Sequence, residues 1–294
     1  MHMRLMLLGG GNALGQALIR LGAEQNVGCH APRPPEGGWD SSHLTTLLDE
    51  HRPDALVNLA YYFDWFQAGQ VADSVLQQQE QAVERLAELC QHHGVILLQP
   101  SSYRVFDGAR TTAYSETDEV APLDNRSQAL WRIEQTVRAL CPRHVLLRLG
   151  WLLDDSPNGI LGRFLQRLER NDPVFLADDR RGNPTPVDDA ARVILAILNQ
   201  LDCLAPLWGT YHYAGHEAAT PLVVGQAMYA EAAKHRQLRL QELTPRAHAD
   251  FPDAATEPQH GVLACRKILN TFGIKPRAWR TGLPNLVERY YRHD

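Results

Sequence analysis

The first 21 residues of the chain constrain its fold most. An apolar run of strand length at residues 3–8 leads into a glycine-rich segment at 9–15, and residues 16–21 follow with helical spacing. A strand, a glycine turn and a helix in direct succession are typical of a dinucleotide-binding loop. In such a loop the start of the helix offers free N–H groups and a positive dipole end to a pyrophosphate. A plain tight turn is the alternative interpretation.

The residues of this segment have separate predicted roles. Gly9 permits a tight turn after the strand, and Gly15 lets the helix lie close to the sheet. Asn12 stands where a second glycine is usual, and we expect a positive φ there because asparagine tolerates that conformation well. The predicted cofactor contacts of the segment are Gly9, Gly11, Asn12, Ala13, Leu14 and Gly15.

Composition narrows the class of protein. The 294 residues suffice for one large α/β domain with a smaller lobe. The net charge of -5 argues against a nucleic-acid-binding surface. Because no apolar run is long enough to span a bilayer or to form a signal peptide, we expect a cytoplasmic protein without membrane contact. Five scattered cysteines indicate reduced thiols, and the histidine spacing predicts no metal site.

Strands and helices alternate through the first half of the chain. Besides the N-terminal pair, the predicted strands lie at 26–31, within 52–60, at 95–98 and at 145–149, and the predicted helices at 42–51, 71–93 and 123–140. The alternation predicts a parallel sheet with right-handed crossovers. The expected fold is therefore α/β, a Rossmann-type doubly wound parallel sheet over residues 1–150.

From about residue 151 the alternation loosens. The predicted helices are 160–170, 187–201 and 221–235, and the predicted short strands are 173–176, 209–213 and 237–243. We interpret residues 151–294 as a smaller α/β substrate-binding lobe, and leave open whether segments of it return to the main sheet. A cleft is expected between this lobe and the cofactor.

The second predicted strand bears on the choice of cofactor. An NAD site usually has an acidic residue near the end of this strand to bind the ribose hydroxyls, and none stands there. Arg33 follows the strand and could pair with a 2′-phosphate, which favours NADP slightly over NAD. A solvent-facing loop arginine is the equal alternative. An aromatic cluster at 61–66 follows the third strand, at the edge where ligands bind.

Eight segments together resemble the RmlD-like (dTDP-4-dehydrorhamnose reductase) branch of the extended short-chain dehydrogenases, over nearly the whole chain. They are GGGNALG (9–15), RPDALVNLA (52–60), SSYRVFDG (101–108), YSETDEVAPL (114–123), LLRLGWLL (146–153), DRRGNPTPVDDAAR (179–192), GTYHYAG (209–215) and GIKPRAWRTGL (273–283). The resemblance implies NADPH or NADH on the glycine loop and a nucleotide-linked 4-keto sugar in the cleft. The family also includes a non-catalytic type, the regulatory β subunit of methionine adenosyltransferase.

The resemblance also implies which residues contact the ligands. Further cofactor contacts are expected at Asp40, Leu59, Ala60, Tyr61 and Leu149, and substrate contacts at Val105, Phe106, Trp151, Arg180 and Thr185. Several of these have structural alternatives. Asp40 could be a plain loop carboxylate, Trp151 a core residue, and the 179–189 run a proline-stiffened connector between lobes.

The catalytic positions of the family are altered in this chain. Family members use a tyrosine as proton donor, a lysine four residues later, and a serine or threonine in a STDYVF-like motif. Ser102 occupies the last of these positions, but the pattern PLxxYGxxK falls on residues 122–130, with Arg126 at the tyrosine and Leu130 at the lysine. No lysine precedes Lys234, so an insertion cannot supply one. An arginine stays protonated and a leucine carries no charge, so neither replaces the missing group.

The leading hypothesis is therefore a catalytically degenerate NAD(P)-binding protein that acts as a sensor or regulatory subunit, with a protein partner or as a homodimer. The alternative is an active NADPH-dependent nucleotide-sugar reductase or epimerase with a non-standard proton donor. Tyr61, Tyr62 and Tyr103 are candidate donors, although packing of the cleft wall is the simpler interpretation. Arg126 could also clamp an anion, or be an exposed helix arginine.

Overall fold

The computed structural model describes residues 3–36, 38–62, 71–170, 172–203, 207–238 and 242–292. Its strands are β1 (Arg4–Leu8), β2 (Gly28–His30), β3 (Ala55–Asn58), β4 (Ile96–Ser102), β5 (His144–Leu149), β6 (Trp151–Leu153), β7 (Val174–Ala177), β8 (Arg181–Gly182), β9 (Pro184–Pro186), β10 (Gly209–Tyr213), β11 (Leu243–Arg246) and β12 (His260–Gly261). Its helices are α1 (Ala13–Glu24), α2 (Ser41–His51), α3 (Asp73–His93), α4 (Asn125–Leu140), α5 (Ile160–Glu169), α6 (Val187–Cys203), α7 (Pro221–Ala232), α8 (Arg266–Phe272) and α9 (Leu283–Arg292).

The main sheet has six parallel strands in the order β10-β5-β4-β3-β1-β2. Strands β3, β4 and β5 are buried along their whole length, because helices cover both faces of the sheet. This is why their sequences are nearly continuous apolar runs and show no alternation. The predicted doubly wound α/β fold is confirmed. The strand order reverses between β1 and β3, which places the ligand crevice at the carboxyl ends of these strands.

The helix positions match the predicted ones with small differences at the ends. Helix α3 starts at Asp73 where the apolar pattern predicted 71, and it ends at Gly94, whose φ of 66° caps the helix as expected. Helix α2 begins at Ser41, one residue earlier than predicted, because Asp40 caps it. These differences are set by capping side chains, which periodicity alone does not locate.

The second half of the chain returns to the main sheet. Helix α6 packs against α1, and β10 pairs with β5 in register from Gly209 to Tyr213. The strand at 209–213, which we predicted as part of the small lobe, therefore completes the sheet. The predicted strand at 237–243 is also misplaced, because β11 begins only at Leu243; residues 239–241 lie outside the described ranges.

After β5 the chain also forms short parallel strand pairs outside the main sheet, β6 with β9, β7 with β11 and β8 with β12. Helix α7 packs against α5, α9 and the β7–β11 pair. Within the described ranges, no helix is both long enough and apolar enough to cross a bilayer. Cys29, Cys90, Cys141 and Cys265 are free thiols.

A buried ion pair joins helix α4 to the sheet. Arg148 on β5 donates from Nε (2.9 Å) and Nη2 (2.7 Å) to the two carboxylate oxygens of Glu134, and Ser101 Oγ donates to the same carboxylate. Both charged side chains are at most 2% exposed. His212 on β10 lies 3.4 Å from Arg148 through Nε2, and burial together with this cation lowers the pKa of His212 to about 3. The network fixes α4 against β4 and β5.

We expect Glu134→Leu to lower the free energy of unfolding by about 3–5 kcal/mol, because Arg148 then remains buried without a counter-ion. The double variant Glu134→Leu/Arg148→Met should recover most of this loss, since an apolar pair of similar volume replaces the ion pair. Urea unfolding measures both. Glu80→Gln, which breaks the partly exposed Arg132–Glu80 pair, is the control and should cost less than about 1 kcal/mol. Equal losses in Glu134→Leu and Glu80→Gln would contradict this account.

Candidate functional site: the glycine loop and the adjoining cleft

The glycine loop packs closely against the end of β3. Gly9 has φ +85°, and a Cβ there would lie 2.5 Å from the carbonyl carbon and oxygen of Leu59. At Gly15 a Cβ would lie 2.6 Å from the Gly9 carbonyl oxygen and 2.7 Å from Gly10 Cα. The two predicted glycine requirements are therefore present. Gly11 is exposed, and a Cβ there would meet nothing within 4 Å. The outer side of the loop is open to a ligand.

Asn12 has a role different from the one predicted. Its φ is -85°, so the expectation of a positive φ is wrong. Asn12 is the N-cap of α1: its Oδ1 accepts a hydrogen bond from the Gly15 N–H at 2.8 Å, and its Nδ2 donates to the Leu59 carbonyl at 3.1 Å. Asparagine is among the preferred N-caps, so the start of the helix was the signal for this role. The side chain thus ties the loop to β3.

The other predicted cofactor contacts converge on the same edge of the sheet. Leu59, Ala60 and Tyr61 directly follow β3, and Leu149 ends β5, where it pairs in register with Ser102 at the end of β4. Leu14 and Leu149 are fully buried, so only their backbone could face a cofactor. The predicted aromatic residues Phe63, Trp65 and Phe66 lie outside the described ranges, as does Asp64.

The segment after β2 contains two predicted cofactor contacts, Arg33 and Asp40, which differ in their surroundings. Arg33 is exposed and makes no hydrogen bond or ion pair with the described residues, so its guanidinium is available to an anion. Asp40 caps α2 by accepting hydrogen bonds from the His43 N–H (2.9 Å) and the Ser42 hydroxyl (2.8 Å), which lower the pKa of Asp40 to about 2. The Asp40 carboxylate therefore serves as the cap of a helix.

Ser102 is the last residue of β4. It is the N-cap of a 3-10 turn, Tyr103–Val105, and its Oγ accepts a hydrogen bond from the Arg104 N–H at 3.3 Å. Helix α4 packs against this turn, and Arg104 also pairs with Asp124, the N-cap of α4, at 3.2 Å. The turn that carries Ser102 and the start of α4 are thereby held together.

Helix α4 presents Arg126 and Leu130 on its buried face. The two residues and Glu134 are four apart in sequence, so they share one face of the helix, and Arg126 is 6% and Leu130 1% exposed. The interpretation of Arg126 as an exposed helix arginine is therefore wrong. Desolvation and the nearby Arg104 guanidinium lower the pKa of Arg126, and Asp124 partly offsets this. The side chain remains a cation that cannot supply a proton.

Four side chains meet where the sequence predicts the cleft, and we call them the cross-cleft cluster: Tyr103, Arg104, Arg180 and Glu257. The Glu257 carboxylate accepts hydrogen bonds from Arg180 Nη2 (2.6 Å) and Tyr103 Oη (3.0 Å), and its Oε1 lies 3.1 Å from Arg104 Nη1. Arg180 Nη2 also donates to Tyr103 Oη at 3.1 Å. Burial and the Glu257 charge raise the pKa of Tyr103 well above its ordinary value. Tyr103 and Arg104 directly follow β4, Arg180 directly precedes β8, and Glu257 lies between β11 and β12.

The predicted substrate contacts divide into two groups. Trp151 and Arg180 lie together at the cleft, with the Arg180 guanidinium 5.1 Å from the centre of the indole ring. Val105 and Phe106 are fully buried, and Phe106 stacks on Tyr114, so their contacts are with the core and the predicted role is not supported.

Thr185 resembles Val105 and Phe106, because its contacts are also with the core. It is fully buried, and its hydroxyl binds the Asn183 carbonyl and the Gly215 N–H, both at 3.1 Å. The hydroxyl of Thr185 therefore has a structural role, which agrees with the interpretation of the 179–189 run as a connector. The sequence analysis missed Glu257, because this residue lies in a segment without a periodic pattern. In the described part of the chain, no group of side chains has the composition of a metal site.

Comparison with known proteins decides the family. The model of the RmlD substrate binding domain family matches residues 3–292. The chain belongs to this family. A dTDP-4-dehydrorhamnose reductase of Aggregatibacter actinomycetemcomitans is 27% identical, over 96% of this chain and 98% of its own length. The RmlD-like resemblance predicted from the sequence motifs is thus confirmed.

Solved structures of RmlD-type reductases share the fold. A dTDP-4-dehydrorhamnose reductase from Clostridium acetobutylicum superposes with a TM-score of 0.83 at 21% identity and covers 98% of this chain and 100% of its own. The Bacillus anthracis dTDP-4-dehydrorhamnose reductase, solved in complex with NADP, has a TM-score of 0.80 at 20% identity and covers 100% of both chains.

We expect Gly9→Ala to lower the melting temperature by about 5 °C or more. An L-residue at φ +85° is strained, and the added methyl would overlap the Leu59 carbonyl, so a loss of at least about 2 kcal/mol follows. Gly11→Ala is the matched control and should change the melting temperature by less than about 1 °C, because its Cβ meets open space. Thermal unfolding of the two variants measures the difference, and equal effects would show that the loop is not closely packed.

Proposed function

We propose that this RmlD-family protein binds a nicotinamide dinucleotide at the glycine loop and a nucleotide sugar in the adjoining cleft, and that its hydride-transfer site is degenerate. It would then act as a sensor or regulatory subunit, reporting ligand levels to a protein partner or to a second copy of the chain. One observation carries the proposal: Arg126 and Leu130 are both buried on α4, the helix that packs against the turn following Ser102.

The chemistry of the replaced pair supports the degenerate site. A tyrosine has an ordinary pKa near about 10, and a neighbouring ammonium group lowers it so that the hydroxyl becomes a usable acid. Arg126 keeps its proton and Leu130 carries no charge, so neither half of this arrangement is available. A positioned proton donor typically contributes about 10²–10⁴-fold to the rate. Binding does not need the donor and can persist without it.

The ligand assignments rest on the loop and on relatives. The tight packing of Gly9 and Gly15, with an open outer side at Gly11, leaves backbone N–H groups at the start of α1 for a pyrophosphate. The Bacillus anthracis enzyme of the same fold was solved with NADP, and the available Arg33 guanidinium favours NADP over NAD here. The nucleotide sugar follows from the reductases to which the chain is similar, whose name specifies dTDP-4-dehydrorhamnose.

Turnover tests the degenerate site. With NADPH and a dTDP-4-keto-6-deoxy sugar, we expect the wild type to oxidise NADPH well below about 1 s⁻¹, the range typical of enzymes. Arg126→Tyr/Leu130→Lys should raise the rate at least about 100-fold, because it restores the donor and its charge. Arg132→Tyr, on the exposed side of α4, is the control and should change nothing. Wild-type turnover above about 1 s⁻¹ that is lost in Ser102→Ala would contradict the proposal.

A second candidate function is an active nucleotide-sugar reductase or epimerase in which Tyr103 donates the proton. The observation in its favour is that the Tyr103 hydroxyl, one residue after Ser102, accepts a hydrogen bond from Arg180. Its bond to the Glu257 carboxylate and its raised pKa oppose this role, since both make the hydroxyl a weaker acid. In the same assay, an active wild type that loses turnover in Tyr103→Phe would favour this candidate.

We expect NADPH to raise the melting temperature more than NADH does at equal millimolar concentration, because ligand binding stabilises the folded state in proportion to the logarithm of concentration over Kd. Arg33→Gln should weaken NADPH about 10-fold and leave NADH unchanged, since only NADPH carries the 2′-phosphate. Calorimetric titration measures the constants, with NADH as the internal control. If neither nucleotide raises the melting temperature, the cofactor assignment fails.

A further inference from the structure

The cross-cleft cluster is a carboxylate-binding arrangement filled by the chain itself. Arg180 and Arg104 approach different oxygens of Glu257, at 2.6 Å and 3.1 Å, and Tyr103 adds a third donor at 3.0 Å. The Glu257 side chain is 14% exposed and Arg180 17%, so the charges meet in a largely desolvated place where hydrogen bonds between ions are strong.

The two arginines keep their positions through contacts other than Glu257. Arg104 donates to Asp124 at 3.2 Å and to the Thr256 carbonyl at 3.3 Å. Arg180 stacks on Trp151 and donates to Tyr103. The indole in turn is packed against Gly182, where a Cβ would overlap the ring. A second carboxylate could therefore take the place of Glu257 without rebuilding the cradle.

One buried donor of Arg180 is not used by Glu257. Arg180 Nε makes no hydrogen bond with any residue in the described ranges. A buried donor without an acceptor is unfavourable. A ligand that offers a hydroxyl or ring oxygen next to a carboxylate would satisfy this donor, which Glu257 does not. Tyr103 and Arg104 directly follow Ser102, which the family resemblance assigns to the sugar end of the proposed site.

We propose that the bound nucleotide sugar is a sugar acid, whose carboxylate replaces Glu257 between Arg104 and Arg180. The inference rests on the nucleotide-sugar site proposed above. A neutral sugar has no charge to exchange: if it displaced Glu257, two guanidiniums would lose a counter-ion in a desolvated place. The two guanidiniums thus favour an acidic sugar over a neutral one, and Glu257 competes with the sugar carboxylate for the same place.

Calorimetric titration with matched sugar nucleotides tests the inference. One pair of ligands is UDP-glucuronic acid and UDP-glucose, and the other is dTDP-glucuronic acid and dTDP-glucose. Two pairs are used because a protein that binds only one of the two bases can still be tested for its preference between acid and neutral sugar. In the pair that binds, the wild type should hold the acid at least about 10-fold more tightly than the neutral sugar, the effect of one charge-assisted hydrogen-bond pair. Equal affinity within a pair, or tighter binding of the neutral sugar, would overturn the inference.

Two variants with matched controls locate the effect. Arg180→Gln should reduce the acid preference below about 3-fold, whereas Arg181→Gln, at the exposed neighbour, should keep it. Glu257→Gln should tighten the acid about 5-fold or more and change the neutral sugar less than about 2-fold, because the internal competitor is gone. Asp250→Asn, an exposed acid on the same segment, should have no effect. If Arg180→Gln weakens both members of a pair equally, the guanidinium holds the pyrophosphate and the inference is wrong.

The outcomes separate this inference from the proposed function. Sugar nucleotides that bind without acid preference refute the inference alone. If NADPH binds and no sugar nucleotide does, the inference and the sugar-nucleotide site fall together, and the cofactor site remains. The wild-type comparison requires no variant, so it decides the matter even if Arg180→Gln lowers the melting temperature too far for titration.

Discussion

The buried pair of Glu134 and Arg148 is the interaction on which the arrangement of the site depends. It crosses from α4 to β5, and Ser101 joins it from β4, one residue before Ser102. Because each charge is desolvated, the pair tolerates only the geometry that satisfies both. The helix face that carries Arg126 and Leu130 is therefore held in one position against the strand that carries Ser102.

How far the sequence predicts this structure depends on the kind of residue. Periodicity and glycine spacing located the sheet, most helices and the close packing of Gly9 and Gly15, because those signals are local. The positive φ expected at Asn12 was wrong: the start of the helix was a local signal for its capping role, and only its bond to the Leu59 carbonyl acts across the fold. Glu257 could not be found from sequence, because its partners Tyr103, Arg104 and Arg180 are 77 or more positions away and its own segment shows no period. The return of 209–213 to the sheet was open for the same reason.

Charge distribution distinguishes the two halves of the ligand region. In the proposed site the glycine loop would bind its ligand through backbone groups, and Arg33, after β2, would add the one charged side chain, whose contribution falls as ionic strength rises. The cleft side is different, because Arg104, Arg126 and Arg180 all lie in buried or nearly buried positions near Ser102. Three guanidiniums in such positions favour the recognition of a fixed negative group.

The long connection between β5 and β10 has a consequence for how the protein folds. During synthesis, β5 emerges about sixty residues before the strand that will cover its edge. Until then, the unpaired N–H and C=O groups along this edge of β5 can form hydrogen bonds with another nascent chain. Strands β7 and β8 lie in this connection, but their partners β11 and β12 follow β10 in the chain. The last strand of the main sheet is therefore made before the short strand pairs can be completed.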